Sequence, residues 1–294
     1  MGCVSTKDQH IKQFNIKLPE SSTALDVILV NQTTLQTDLD LSDSQDQYMQ
    51  IGMNLSSIGD LNPKVQIVLQ ELGDLFPNLS GQYLLMPDQS IFFGQTLNGK
   101  RNGQGKQHWP KEGNLLEGIW IDNQLNGRAR MIYPNGDYFD GDFVNNVANG
   151  LGKFVNSRKE VRGFWINNKL IGEGTEIRKN GTIYTGQFQD GKIHGQGKFE
   201  FANGCVYKGN VHKGKMHGNG ELVFNDKTRY IGEFRNNCIQ GRGIYEASTP
   251  IHGWFHSKYE NQTMFLYFFR QETPVLIDHQ DCTLIQKQLS TFFD

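Results

Sequence analysis

A five-residue alternation of apolar and polar positions recurs along residues 83–256. In Tyr184–Phe188, two aromatic residues flank a central glycine, and the residues between them are polar. A period of two predicts a β-strand whose positions one, three and five face one side, while positions two and four face the other. We number each repeat from its apolar first residue, so that Tyr184 is position one and Gly186 is position three. The polar positions two and four predict a solvated face.

Three series of glycines keep this alternation in phase. The position-three series advances in steps of 21 to 24 residues, and it comprises Gly94, Gly118, Gly141, Gly163, Gly186, Gly209, Gly232 and Gly253. The position-twelve series comprises Gly103, Gly127, Gly150, Gly172, Gly195, Gly218 and Gly241. A third series follows two residues later, with Ala129 as its one substitution. Self-similarity at a fixed period indicates a repeat architecture, and a glycine between apolar positions leaves room for a neighbouring ring on bare backbone.

Turn sequences separate the strands of each repeat. Asn-Gly pairs in the segments 134–136, 179–181 and 202–204 supply residues that tolerate positive φ, as tight hairpins require. Two strands per repeat at about 4.8 Å each advance the sheet by about 10 Å, so seven repeats predict a ribbon about 70 Å long.

The pattern Tyr-x-Gly-x-Phe-x-x-Gly-x-x-x-Gly-x-Gly, complete at residues 184–197, resembles the MORN (membrane occupation and recognition nexus) repeat. Asparagine replaces the position-eight glycine in four repeats, at Asn123, Asn146, Asn168 and Asn237. The fourth repeat also has Glu176 and Arg178 where an apolar residue is expected. The resemblance implies an all-β fold, namely an elongated single-layer antiparallel β-ribbon of hairpins that serves as a scaffold near membranes or in cytoskeletal and ciliary assemblies.

The segments outside the array predict short helices at both ends. We expect an acylated and acidic flexible region at 1–60, a helical cap at 61–82, the repeat array at 83–256, and a closing strand and helix at 257–294. Within the cap, Pro63–Phe76 has the apolar spacing of a helix, and we expect it to cover the open edge of the first hairpin. The closing strand is predicted at 263–269 and the second helix at 281–293.

The first seven residues match the pattern for N-myristoylation. Gly2 is the acceptor after removal of Met1, Thr6 occupies the required position, and Cys3 is a candidate for palmitoylation. The start resembles that of dually acylated Src-type kinases. Because one myristoyl chain binds membranes only marginally and two give stable anchoring, the pair predicts a membrane tether on the cytoplasmic side.

The net charge of −2 conceals two regions of opposite sign. Residues 1–89 carry 4 basic and 11 acidic residues, whereas residues 90–256 carry 22 basic and 15 acidic residues. Basic residues recur at positions nine and fifteen, and we predict that they contact an anionic lipid or an acidic partner or, alternatively, only keep the sheet edge solvated. The set comprises Lys100, Lys106, Arg130, Lys153, Lys169, Lys192, Lys198 and Lys215.

The same sequence contains no pattern that predicts catalysis, a cofactor or a metal site. The four cysteines are far apart and are expected to be free thiols, and the glycines follow the repeat instead of a phosphate-binding loop. We expect no nucleic-acid binding and no small-molecule substrate. The prediction is therefore a non-catalytic scaffold for a protein partner at the inner face of a membrane. The alternatives are an anionic-lipid or phosphoinositide recognition module and a structural subunit of a ciliary, axonemal or cortical cytoskeletal assembly.

Overall fold

The computed structural model describes residues 28–29, 61–246, 251–260, 263–270 and 273–277. These residues contain one α-helix and 19 strands. They divide into two compact units. The first unit contains the described residues up to Ser157 together with Trp165–Asn168, and the second contains Arg158–Phe164 and the described residues from Lys169 onwards.

The helix and the first strands follow one another along the chain. Their bounds are β1 Ile28–Leu29, α1 Pro63–Leu72, β2 Gln82–Leu85, β3 Ile91–Leu97, β4 Lys100–Trp109, β5 Asn114–Ile121, β6 Gln124–Ile132, β7 Tyr138–Val144 and β8 Val147–Val155. The remaining strands are β9 Lys159–Ile166, β10 Lys169–Arg178, β11 Ile183–Gln189, β12 Lys192–Glu200, β13 Val206–His212, β14 Lys215–Val223, β15 Arg229–Arg235, β16 Cys238–Glu246, β17 Ile251–Glu260, β18 Thr263–Arg270 and β19 Thr273–Ile277.

Within each unit, strands that are consecutive in sequence pair antiparallel. The first unit pairs β2 through β8 in order, with β1 beside β2. The second unit pairs β10 through β19 in order. The predicted all-β fold of tandem antiparallel hairpins is confirmed.

The tightest turns lie at positions seven and eight of each repeat. Both residues have positive φ in turns such as Asn145-Asn146 (49° and 66°) and Asp190-Gly191 (51° and 73°). Two consecutive residues with positive φ form a type I′ turn, whose twist matches the twist of the flanking strands. The asparagines at position eight therefore adopt the backbone conformation that glycine adopts in the other repeats, because asparagine tolerates the left-handed region.

The turns containing Asn-Gly pairs differ from our expectation. Only the glycines have positive φ, as at Gly136 (86°) and Gly181 (84°). Each preceding asparagine instead accepts a hydrogen bond from the backbone N–H two residues later, for example Asn135 Oδ1 from Asp137 at 3.0 Å. The prediction of positive φ therefore holds for the glycines of these segments and not for their asparagines.

The helix α1 begins as predicted and ends four residues early. Asn62 Oδ1 caps its first turn by accepting from the Lys64 backbone N–H at 3.0 Å, and Pro63 occupies the first helical position. Gly73, with φ of 72°, leaves the helical conformation and donates its N–H to the Leu69 carbonyl at 2.7 Å. A left-handed glycine at this point ends the helix before Phe76.

The predicted closing strand corresponds to β18 and is followed by the further strand β19. The segment 281–293, for which we predicted a helix, and the acylation residues Gly2 and Cys3 lie outside the described residues. Among the described residues, no helix has the length and hydropathy needed to cross a bilayer.

Candidate functional site: the faces and hairpin tips of the sheet

One face of the sheet is filled by the aromatic residues at positions one and five. Tyr184, Tyr207 and Tyr230 are each at most 1 % exposed, and each ring lies over a pair of glycines. A Cβ atom placed on Gly197 would lie 2.4 Å from the Tyr184 ring. The Tyr184 hydroxyl donates to the Gln187 carbonyl at 3.0 Å. This face is internal packing, as the glycine spacing predicted.

In the first unit, α1 covers one part of the opposite face. Val65, Val68 and Leu69 of the helix are buried against Leu115, Ile132 and Tyr138 of the sheet. These three sheet residues are directly paired across β5, β6 and β7. Two predictions are corrected here. The helix packs on a sheet face and not on the edge of the first hairpin, and positions two and four are not uniformly solvated.

Charged position-two and position-fifteen residues are buried beneath the end of α1. Glu117 is completely buried and contacts Lys106 Nζ at 3.2 Å and Arg130 Nη1 at 3.5 Å. Arg130 also donates to the Gly73 carbonyl at 2.6 Å and contacts Asp140 at 3.1 Å. Burial raises the pKa of Glu117, although Lys106 and Arg130 oppose that effect.

This cluster gives two of the predicted contact residues, Lys106 and Arg130, a structural role inside the chain. Lys106 pairs with Asp74 at 2.9 Å as well as with Glu117, so both of its acidic partners belong to this chain. Arg130 is 6 % exposed. Lys106 and Arg130 fasten α1 and the residues after it to the sheet, and we remove both from the predicted row of external contacts.

The other predicted basic contacts lie at accessible positions. Lys100 pairs with Asp122 at 3.4 Å, and Lys169 pairs with Asp190 at 3.1 Å, in each case with the turn of the following repeat. Lys153 lies 5.2 Å from the centre of the Tyr138 ring, and Lys198 pairs with Glu200. Lys192 is exposed and Lys215 is half-buried at the corresponding hairpin tips of the second unit.

The hairpin tips are linked from one repeat to the next. The Asn146 backbone N–H donates to the Leu125 carbonyl at 3.0 Å, and the Asn146 side chain accepts from the Leu125 N–H at 2.7 Å. The same reciprocal pair joins Asn168 to Ala148 and Asn237 to Met216. Where position eight is Gly191, only the backbone bond, to the Leu170 carbonyl at 2.9 Å, is present. Asparagine at this position therefore adds a hydrogen bond that glycine cannot make.

The polar residues of the fourth repeat form a buried ion triad. Glu176 is 2 % exposed and contacts Lys159 at 2.7 Å and Arg178 at 2.6 Å. Its equivalent in the fifth repeat is Phe199, which is buried in the aromatic face. Ion pairing thus replaces apolar packing at this position of the fourth repeat.

Three histidines approach one another at the tips of the second unit. The ring centres of His194 and His212 are 4.9 Å apart, and those of His212 and His217 are 5.8 Å apart. Desolvation, aided by His194 and Lys213, lowers the pKa of His212. Across the described parts of the chain, no group of three or more His, Cys, Asp or Glu residues has a geometry that would hold a metal ion.

Sequence reasoning missed a row of exposed aliphatic residues at position six of the first unit. We call it the aliphatic row, and it comprises Leu97, Ile121, Val144 and Ile166, with exposed fractions of 57, 54, 46 and 38 %. Position six in the second unit is instead polar, at Gln189, His212 and Arg235. The change in chemistry at one repeat position was visible in the sequence, but strand alternation alone does not separate a buried aliphatic from an exposed one.

Comparison with known proteins agrees with the repeat register. The sequence model of the MORN repeat matches seven consecutive segments, at residues 92–113, 117–138, 139–157, 162–183, 184–206, 207–229 and 230–248. No curated protein sequence matches the chain.

Among solved structures, the chain is similar to the TCP domain of SAS-4 from Drosophila melanogaster, in complex with a proline-rich motif of Ana2. The identity is 17 %, the match covers 58 % of this chain and 87 % of that chain, and the TM-score is 0.34. It is also similar to the TCP10 domain of CPAP from Danio rerio, with 11 % identity, 67 % and 98 % coverage, and a TM-score of 0.38. TM-scores this low carry no argument about function. The seven matched repeats, in register with the observed hairpins, show that the chain belongs to the MORN repeat family.

Proposed function

We propose that the chain is a non-catalytic scaffold that presents its sheet to a protein partner and is held at the cytoplasmic face of a membrane by acyl groups on Gly2 and Cys3. The observation that carries the scaffold function is the run of seven consecutive repeats. The side chains of the repeats pack rings on glycines and link one repeat to the next. MORN repeat proteins are in general non-catalytic scaffolds. The acyl tether is supported by the match of residues 1–7 to the myristoylation pattern.

Cell fractionation of substituted chains tests the tether. Gly2→Ala should move the protein from the membrane to the soluble fraction. It removes the myristoyl acceptor, and an acyl group on Cys3 alone would not give stable anchoring. Cys3→Ser should leave partial attachment through the single remaining chain. A Gly2→Ala protein that stays entirely in the membrane fraction would disprove the lipid tether.

Affinity purification tests the scaffold. The wild-type chain should recover protein partners from detergent-solubilised membranes. A chain with both units of the array disrupted, by Gly152→Val in the first unit and Gly197→Val in the second, should lose them, because rings occupy the space of both new side chains. Equal recovery by both chains would assign the partners to segments outside the array.

A second candidate function, binding of anionic lipid by the array, is favoured by the exposed lysines of the second unit. Lys192, Lys208 and Lys213 are all exposed on β12, β13 and the turn after β13. Each lysine near an anionic membrane contributes about 1 kcal/mol. Unacylated protein should then float with vesicles that contain phosphatidylserine but not with neutral vesicles, and a triple Lys→Gln variant should lose that binding. The absence of flotation at low salt would eliminate this candidate.

A further inference from the structure

We propose that the aliphatic row of the first unit is a docking site for an amphipathic α-helix of a partner protein, whose apolar residues recur every seven positions. The inference rests on the proposed scaffold function and specifies the chemistry of its partner. It begins from the exposure of Leu97, Ile121, Val144 and Ile166, each of which is more than one-third exposed. One such residue per repeat, always at the same position, makes a regularly spaced row and not a random scatter. Across their turns, Leu97, Ile121 and Val144 pair with Lys100, Gln124 and Val147.

The row lies on the sheet face that already accepts a helix. Strand β5 pairs with β4 in uninterrupted register from Asn114 to Trp120. Leu115, Glu117 and Ile121 therefore point to the same face, because side chains alternate along a strand. Leu115 lies under α1, and the exposed Ile121 lies beyond it. The helix and residues 73–75 after it cover the part of this face from the loops after β4 and β6 as far as Glu117.

The uncovered half has room for a second helix beside α1. Glu117, which residues 73–75 cover, and Ile121 are four residues apart on β5, which corresponds to about 13 Å along the strand. A helix with its side chains has a diameter of about 10 Å. On β8, the same half of the face carries Leu151, which is 64 % exposed, so a docked helix would contact apolar side chains on both strands of the third repeat.

The spacing of the row matches the period of a helix. Successive members lie on every second strand, so they are separated by about 10 Å across the sheet. Seven residues of an α-helix rise about 10.5 Å. A helix laid across the strands thus offers one apolar residue per heptad to each repeat, and contact with all four members requires about three heptads. An extended peptide has no such match, because two residues per pleat rise only about 7 Å.

Position six of the second unit provides an internal control. Gln189 and His212 occupy this position in a hairpin tip of the same type I′ geometry. The aliphatic character therefore does not follow from the turn itself. Substitutions at Gln189 and His212 therefore have the same backbone geometry as substitutions in the row. They remove polar side chains, whereas substitutions in the row remove aliphatic ones.

Fluorescence anisotropy with a designed peptide tests the proposal. The probe is a labelled 24-residue synthetic helix with leucine at the first and fourth positions of each heptad and with glutamate and lysine elsewhere. It is titrated against the unacylated full-length chain. We expect saturable binding, which Ile121→Asp combined with Val144→Asp weakens at least about tenfold, equivalent to about 1.4 kcal/mol. Gln189→Asp combined with His212→Asp should leave the affinity unchanged, and circular dichroism should show that both variants are folded.

Four results would overturn the proposal. The first is no binding of the peptide to the wild-type chain. The second is binding that does not depend on the row or on the heptad spacing. It would appear as equal affinity of the peptide for the row variant, or as equal affinity of a peptide with the same leucines in scrambled positions. The third is that the row variant loses vesicle flotation, which would make the row a membrane contact. The fourth is that the wild-type chain is a dimer that the row variant dissolves. If peptide binding fails while affinity purification still recovers array-dependent partners, the scaffold function stands and only the helix-docking inference falls.

Discussion

Gly197 shows how a single residue type sets the packing of a repeat. Its position faces Gly186 across β11 and β12, and the Tyr184 ring lies directly on both residues. The hydroxyl of the buried ring donates to a backbone carbonyl, and burial raises the pKa of Tyr184. Because the ring occupies the space that a Cβ atom would need, no other residue fits without displacement of the tyrosine.

Gly197→Val should lower the stability of the second unit by about 3 kcal/mol, because overpacking forces the ring and the backbone apart. The measurement is the midpoint of urea unfolding followed by tyrosine fluorescence. Gln196→Val is the matched control, since Gln196 is exposed and adjacent. A Gly197→Val midpoint equal to that of the wild type would contradict ring-on-glycine packing.

Asn146→Gly should be destabilising although glycine occupies position eight in other repeats, at Gly99, Gly191 and Gly214. Glycine keeps the positive φ of position eight but cannot accept the hydrogen bond from the Leu125 N–H. The loss of one such bond costs about 1 kcal/mol. Asn145→Gly, at the preceding turn position, serves as the control and should be nearly neutral. Thermal unfolding compares the two, and equal melting temperatures would show that the side-chain link contributes nothing.

At the scale of elements, the ion triad of Lys159, Glu176 and Arg178 replaces apolar packing in the fourth repeat. Removal of one member leaves buried charge without its partner, so Glu176→Ala should cost about 3–5 kcal/mol. Replacing all three by the residues of the fifth repeat, as Lys159→Thr, Glu176→Phe and Arg178→Phe, should recover that loss. Urea unfolding measures both variants. A triple variant that is less stable than Glu176→Ala would show that the triad is specifically required.

The triad also predicts a dependence of stability on pH. Burial by itself raises the pKa of Glu176, but Lys159 and Arg178 outweigh it and hold the pKa below the ordinary value. A carboxylate with a depressed pKa contributes stability above its unfolded pKa, and that contribution is lost as the pH falls through the folded value. Wild-type stability should therefore decrease more steeply on acidification than that of Glu176→Gln. The measurement is the free energy of unfolding as a function of pH, with Glu173→Gln, at an exposed residue, as the control. Parallel profiles for the wild type and Glu176→Gln would contradict the prediction.

The docking of α1 marks the limit of what local patterns predict. The cap at Asn62 and the apolar spacing of Val65, Val68 and Leu69 predicted the helix itself. Its location was not predictable, because it depends on which sheet residues are apolar on the far face. Polar residues such as Glu117 and Arg130 indicated a solvated face, yet they are buried as an ion-paired cluster. Long-range charge pairing cannot be deduced from the alternation within one strand.

At the scale of the whole molecule, the repeat period was sufficient to predict the fold. The glycine series predicted the strands, their order and the position of the aromatic face, because each repeat contacts mainly its neighbours. The candidate site was harder to predict. The basic positions were visible in the sequence, but Lys106 and Arg130 are partners of acidic residues within the chain. The aliphatic row, which includes Ile121 and Val144, was not predicted.

The link between hairpin tips constrains how such a chain can change length in evolution. In each link, a turn residue such as Asn146 bonds to the second strand of the preceding repeat, at Leu125. A single-residue insertion in a turn would leave its own hairpin able to close but would move this bond out of register with the repeat before it. Gain or loss of a complete repeat preserves every link. Variation in array length should therefore occur in steps of one two-stranded repeat, and the surface presented to partners should lengthen or shorten by about 10 Å at a time.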